Sequence, residues 1–150
     1  MQERCKVLIL CTGNSARSQM AEGLLRHMAG GSFDVYSAGT RPVGLNPNAV
    51  KAMSEVGIDI AGHRSKSVEE FLGQQFDYVV TVCDNARESC PIFPGAGQRV
   101  HHSFPDPAAA AADEPMALFR QVRDEIQTWL AEFITTTAPG IQNNGAAGKQ

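Results

Sequence analysis

The chain has 150 residues, the length of one domain, and its 43% hydrophobic content is enough to bury a sizeable core. Thirteen basic against sixteen acidic residues leave a formal charge of −3, which argues against a nucleic-acid partner and against a disordered, highly charged chain. No apolar run approaches the roughly 20 residues of a membrane span, and the charged start from Met1 to Lys6 is unlike a signal peptide, so a cytosolic protein with no membrane partner and reduced cysteines is expected.

Lys6-Val7-Leu8-Ile9-Leu10 is an unbroken branched-apolar run and predicts a buried strand, with Cys11 at its end. Thr12-Gly13-Asn14-Ser15-Ala16 is turn-forming, and Gly13 and Asn14 can both adopt positive φ. From Ser18 onward Met20, Ala21, Leu24, Leu25 and Met28 recur at helical spacing. Phe33 to Gly39 predicts a second strand with a polar exit. Asn46-Pro47 opens a helix as cap and first-turn proline, with Ala49, Val50, Met53 and Val56 on one apolar face and Gly57 as the stop. Ser67-Val68-Glu69-Glu70 fits a capping box for a short helix that turns Phe71 and Leu72 inward. Phe76 to Val82 is the third strand and delivers Cys83; Arg99 to Phe104 is a weaker fourth, ending at Pro105-Asp106-Pro107. Pro115 opens the longest helix, with Met116, Phe119, Val122, Ile126, Trp129, Leu130 and Phe133 on one stripe. Residues 138–150 lack periodicity and predict a flexible tail after a single catalytic domain of residues 1–137.

Strands alternating with helices predict an α/β fold, a four-stranded parallel sheet with helices on both faces. Ligands of such sheets bind beyond the carboxyl ends of the strands, where Cys11, Cys83 and Asp106 all fall. The first strand, loop and helix make a cup of backbone N–H groups aimed at an anion, opened by Cys11 and closed by Arg17. A thiol at a helix N-terminus beside a guanidinium ionises readily and becomes a nucleophile, and an arginine offers a planar fork to a tetrahedral oxyanion. Ser15 and Ser18 either donate to the Cys11 sulfur or cap the helix. Cys83 and Cys90 lie seven residues apart in a polar stretch of helical propensity, and read either as a redox pair or as two small core residues. With His101 and His102 they match no zinc spacing. Asp106 reads either as a turn cap or as a general acid. Cys5, His63, His101 and His102 are given no role and no partner.

Cys11-Thr12-Gly13-Asn14-Ser15-Ala16-Arg17-Ser18 resembles the signature loop of the low-molecular-weight protein tyrosine phosphatase family and its arsenate reductase branch, and the resemblance runs over residues 6–134. It implies that family's flavodoxin-like sandwich, attack by Cys11, Asp106 as general acid, and oxyanion binding by Arg17 with the loop residues Thr12, Gly13, Asn14, Ser15, Ala16 and Ser18. Thr81 to Pro91 resembles the redox segment of the thioredoxin-coupled arsenate reductases, with Cys83 and Cys90 on its two cysteine positions. Alanines follow Asp106-Pro107 where the phosphatase branch carries aromatic residues. The resemblance therefore implies an arsenate reductase that moves a disulfide from Cys11–Cys83 to Cys83–Cys90, is reduced by thioredoxin, needs no cofactor and acts as a monomer. A phosphatase and a non-enzymatic oxyanion-binding module are the alternatives. Ala16 departs from the pattern where the reductase branch often has cysteine. In potassium-binding members four side chains surround a cation; Asn14, Glu22 and Ser37 match three of them, but Lys66 stands at the aspartate position. Its ammonium is expected in the cation's place, and no metal is assigned.

Overall fold

The run Val7-Leu8-Ile9-Leu10 has no polar face because it has no solvent face: all four side chains are at most 1% exposed. They lie on β1 (Cys5–Cys11), which pairs in parallel with β2 (Phe33–Gly39) on one side and β3 (Tyr78–Thr81) on the other. The fourth strand, β4 (Gln98–His101), adds to β3, giving the order β2-β1-β3-β4. The computed structural model describes residues 4–84, 97–108 and 114–137. The fold is the expected four-stranded parallel α/β sheet.

Alternation along the strands assigns the two faces. Val7, Ile9, Val80 and Val82 meet Ala21 and Leu25 of α1 (Arg17–Ala29) and Leu130 and Phe133 of α3 (Pro115–Thr137). Each buried aliphatic side chain contributes roughly 1.5–3 kcal/mol. On the other face the Tyr36 ring lies 5.8 Å from Phe71 and 6.0 Å from Phe76. Phe71 ends a short 3-10 helix, Val68–Phe71. Helix α2 (Pro47–Ser54) packs against α1 and α3 and is capped by Asn46, whose Oδ1 accepts from Asn48 N at 2.8 Å.

Several boundaries differ from the sequence reading. The first helix begins one residue early, at Arg17. Helix α2 closes at Ser54, so Val56 leaves the apolar face and is 39% exposed. Val68 and Phe71 go inward, but Leu72 follows in extended conformation and is 48% exposed. The capping box is half formed: Ser67 Oγ accepts from Glu69 N at 3.1 Å, while Glu70 is engaged by Arg64 in a two-pronged pair at 2.9 Å. β4 stops at His101, although Phe104 N still donates to Val82 O at 3.0 Å. The tail at 138–150, Cys90 and the helical stretch expected before it lie outside the described residues.

Candidate active site

The loop from Thr12 to Ala16 joins the end of β1 to the start of α1, with Asn14 at φ 46° supplying its turn. Every carbonyl of its outer edge is taken up by chain that runs alongside. Thr40 N donates to Cys11 O, Arg41 N to Thr12 O (2.8 Å), Val43 N to Gly13 O and Asn46 N to Ser15 O. Ser65 Oγ also donates to Gly13 O, and Gln19 Nε2 donates to Asn14 O. Across a trans peptide the carbonyl and the following N–H point opposite ways, so N–H groups from Thr12 to Ala16 face inward. Helix α1 continues the cup: its cap residue Ala16 offers no side chain to the first-turn amides, and that turn holds no acidic residue. An uncapped helix N-terminus is where an anion binds.

Cys11, a free thiol 2% exposed, sits at the floor. Its sulfur contacts Ser18 Oγ at 2.8 Å and accepts from Asn14 N at 3.2 Å. The hydrogen positions follow from the fully buried Asn14 amide. Its Oδ1 takes the Lys66 backbone N–H (2.8 Å) and Gln19 Nε2 (3.0 Å), so its Nδ2 must donate to Ser18 Oγ (2.8 Å) and Ser37 Oγ (3.0 Å). With a donor already on its oxygen, Ser18 turns its own hydrogen to the Cys11 sulfur. Of its two expected roles, Ser18 takes the sulfur and does not cap the helix.

Arg17 closes the cup, its Nη1 donating to Phe104 O at 3.2 Å and its Nη2 3.6 Å from Asp106 Oδ2. Asp106 caps a turn, its Oδ1 accepting from Ala108 N at 3.0 Å, while its Oδ2 faces the guanidinium. A hollow of about 400 Å³ opens over the loop, lined by Cys11, Arg17, Asp106, Arg41, Val43 and Ala108 among others. Cys83, 4% exposed, adjoins the loop from the neighbouring strand end: Thr12 Oγ1 lies 3.3 Å from its sulfur.

Behind the loop Ser37 Oγ donates to Glu22 Oε1 at 2.5 Å, and Lys66 Nζ stands 3.9 Å from the same oxygen while donating to Arg64 O at 2.8 Å. The ammonium thus joins the Asn14–Glu22–Ser37 cluster. Burial holds its pKa below the usual lysine value, and Glu22 offsets only part of that. Among the described residues no group of three His, Cys, Asp or Glu side chains could hold a metal ion.

The sequence reading missed residues whose signal is spatial. Gly39 is one: a Cβ there would stand 2.5 Å from Thr12 O and 2.8 Å from Asn14 N. Arg41 and Val43 form the far rim of the hollow. His63 does have a partner, Gln19 Oε1 at 3.0 Å; since Gln19 Nε2 faces carbonyls, the imidazole donates from Nδ1, and burial pushes its pKa down. His101 bridges Thr81 Oγ1 (2.7 Å) and Asp84 Oδ1 (2.9 Å), and the His102 ring lies tilted against Phe104 at 4.7 Å and Trp129 at 5.5 Å.

A buried thiol under an amide cup closed by arginine, at the carboxyl end of a central parallel strand, is the set of parts that a cysteine-nucleophile oxyanion site requires. The chain belongs to the low molecular weight phosphotyrosine protein phosphatase family, whose sequence model matches residues 6–143. An arsenate reductase of Halalkalibacterium halodurans is 49% identical over 132 residues, which span 87% of this chain and 95% of that protein. A solved arsenate reductase in the phosphate-binding state has TM-score 0.77 and 30% identity over 88% of this chain and 98% of that one. A thioredoxin-dependent arsenate reductase of Corynebacterium glutamicum has TM-score 0.67 and 26% identity, covering 91% of this chain and 65% of that one. No described helix is long and apolar enough to cross a membrane.

Proposed function

We propose that this protein is a cytosolic arsenate reductase working through Cys11, Cys83 and Cys90 and recharged by thioredoxin. One observation carries the reading: a second buried cysteine, Cys83, lies 3.3 Å from the hydroxyl of Thr12, the residue next to the nucleophile. A phosphatase has no use for a thiol there; a two-electron reductase requires one. The similarity to arsenate reductases supports the same assignment, as does the wall beyond Asp106, where Ala108 lines the hollow in place of an aromatic side chain.

In the first step the Cys11 thiolate attacks arsenic, the loop amides and Arg17 hold the oxygens, and Asp106 protonates the departing oxygen as water leaves. The Cys83 thiolate then attacks the Cys11 sulfur. An S–S bond forms, the S–As bond breaks, and its electron pair reduces As(V) to As(III), released as arsenite. Cys90 attacks Cys83, freeing Cys11 and leaving a Cys83–Cys90 disulfide. The chain has no Cys-x-x-Cys of its own, so an external dithiol completes the cycle.

The test is arsenate-dependent oxidation of thioredoxin, run against a glutaredoxin system. Wild type turns over repeatedly with thioredoxin. Cys90→Ser yields one arsenite per chain and accumulates a Cys11–Cys83 disulfide visible by mass spectrometry. Repeated turnover by Cys90→Ser would remove the third thiol. Brisk hydrolysis of an aryl phosphate without arsenate reduction would make the protein a phosphatase, and stoichiometric binding without turnover would make it a binding module. Asp106→Asn slows the burst of arsenite formation by about 100-fold or more and leaves phosphate binding close to wild type; an unchanged burst would exclude Asp106 as the acid.

A further inference from the structure

We propose that Arg41 is the second guanidinium of this site, a specificity residue that recruits anionic substrates to the mouth of the cup. The inference rests on the oxyanion reading above. Three observations place it. Arg41 lines the same hollow as Cys11 and Arg17. Its backbone is tied to the loop, Arg41 N donating to Thr12 O at 2.8 Å, and Pro42 follows, so the stem leaves a fixed point of the rim. Its guanidinium is unspent: Arg4, Arg17, Arg26, Arg64, Arg120 and Arg123 all have a carboxylate within ion-pair distance, whereas Arg41 has none among the described residues and is exposed.

The hollow of about 400 Å³ reaches from Cys11 to Arg41 and Val43, so an oxyanion on the loop amides leaves room for water at the mouth above it. Arg17 meets the ligand at the floor, with the Asp106 carboxyl 3.6 Å from it. Arg41 stands at the mouth with no carboxyl group within ion-pair distance among the described residues. A cation there acts across water on the approach of the anion, and that attraction is screened as salt rises. It therefore governs capture and the preference for anionic over neutral reactants, not the bond-making step.

The experiment reads charge preference directly at Cys11. Alkylation by iodoacetate, an anion, is compared with alkylation by iodoacetamide, its neutral counterpart, using mass spectrometry of the Cys11 peptide at low salt. In Arg41→Gln the iodoacetate rate falls about three-fold or more while the iodoacetamide rate stays put; Arg41→Lys keeps most of the preference. Arg99→Gln removes the same charge from the β4 edge, where Arg99 is likewise without a carboxylate partner among the described residues, and leaves the ratio unchanged. The wild-type preference shrinks toward 1 M salt, where the screening length is about 3 Å. In the arsenate assay Arg41→Gln raises KM and holds kcat. A wild-type ratio in Arg41→Gln, or an equal fall with both reagents, would overturn the role. Phosphate and arsenate should slow alkylation of wild-type Cys11; if neither does, the oxyanion reading itself fails, whatever Arg41 does.

Discussion

Cys11→Ser leaves less than about one per cent of wild-type arsenate turnover, a rise of roughly 2.7 kcal/mol or more in the barrier. The cup supplies donors to the atom at this position, from Ser18 Oγ at 2.8 Å and Asn14 N at 3.2 Å. A thiol is intrinsically the better nucleophile; a serine hydroxyl starts from a far higher pKa and remains a neutral, weak nucleophile there. The shape of the site survives the exchange, so Cys11→Ser still binds phosphate. Loss of turnover with phosphate binding intact isolates the nucleophile. Turnover above one per cent would mean that another group attacks arsenic.

Gly39→Ala is expected to cost nearly as much, though residue 39 touches no substrate. Gly39 pairs with Cys11 across β1 and β2, and the loop folds over it. A methyl group would sit 2.5 Å from Thr12 O and 2.8 Å from Asn14 N, both main-chain atoms that cannot swing aside. The overpacking costs about 1–3 kcal/mol of stability, and a shift of about 1 Å in the loop costs about 100-fold in kcat/KM. Denaturation curves and arsenate kinetics measure the two effects separately. Gly31→Ala is the control, since a Cβ there meets nothing within 4 Å. An alanine variant at residue 39 with wild-type kcat/KM would show that the loop does not depend on this close approach.

What the sequence made legible was whatever side-chain chemistry repeats along the chain. β1 could be read because both its faces are buried, α3 because its apolar stripe runs from Met116 to Phe133 of a 23-residue helix, and the cup because strand, turn and helix follow one another without a gap. Cys11, Arg17 and Asp106 were visible as strand-end and loop residues, and the structure brings all three to one hollow. Val56 and Leu72 were misplaced because short helices end before their apolar pattern does. His101 could not be assigned partners, since Thr81 and Asp84 reach it across a parallel strand pair, 20 and 17 residues away. Arg41 stands in no motif and in no periodic stretch of the sequence. Its position depends on a backbone bond to Thr12, and main-chain bonds leave no trace in residue type.

That last point bears on moving this chemistry elsewhere. The eight residues from Cys11 to Ser18 look self-contained, yet their carbonyls are held by Thr40, Arg41, Val43, Asn46 and Ser65, and the Asn14 side chain by Lys66 and Gln19. Grafted alone onto another strand and helix, the octet would keep its nucleophile and arginine but lose the acceptor-satisfying wall. Its peptide planes would then be free to rotate, turning carbonyl oxygens toward the anion in place of N–H groups. A transplant of the cup alone has to carry three separate pieces of chain, residues 11–22, 37–46 and 63–67, in their relative positions, and the proposed chemistry needs the segments bearing Cys83, Cys90 and Asp106 besides. The smallest portable unit of this site is a sheet corner, not a motif.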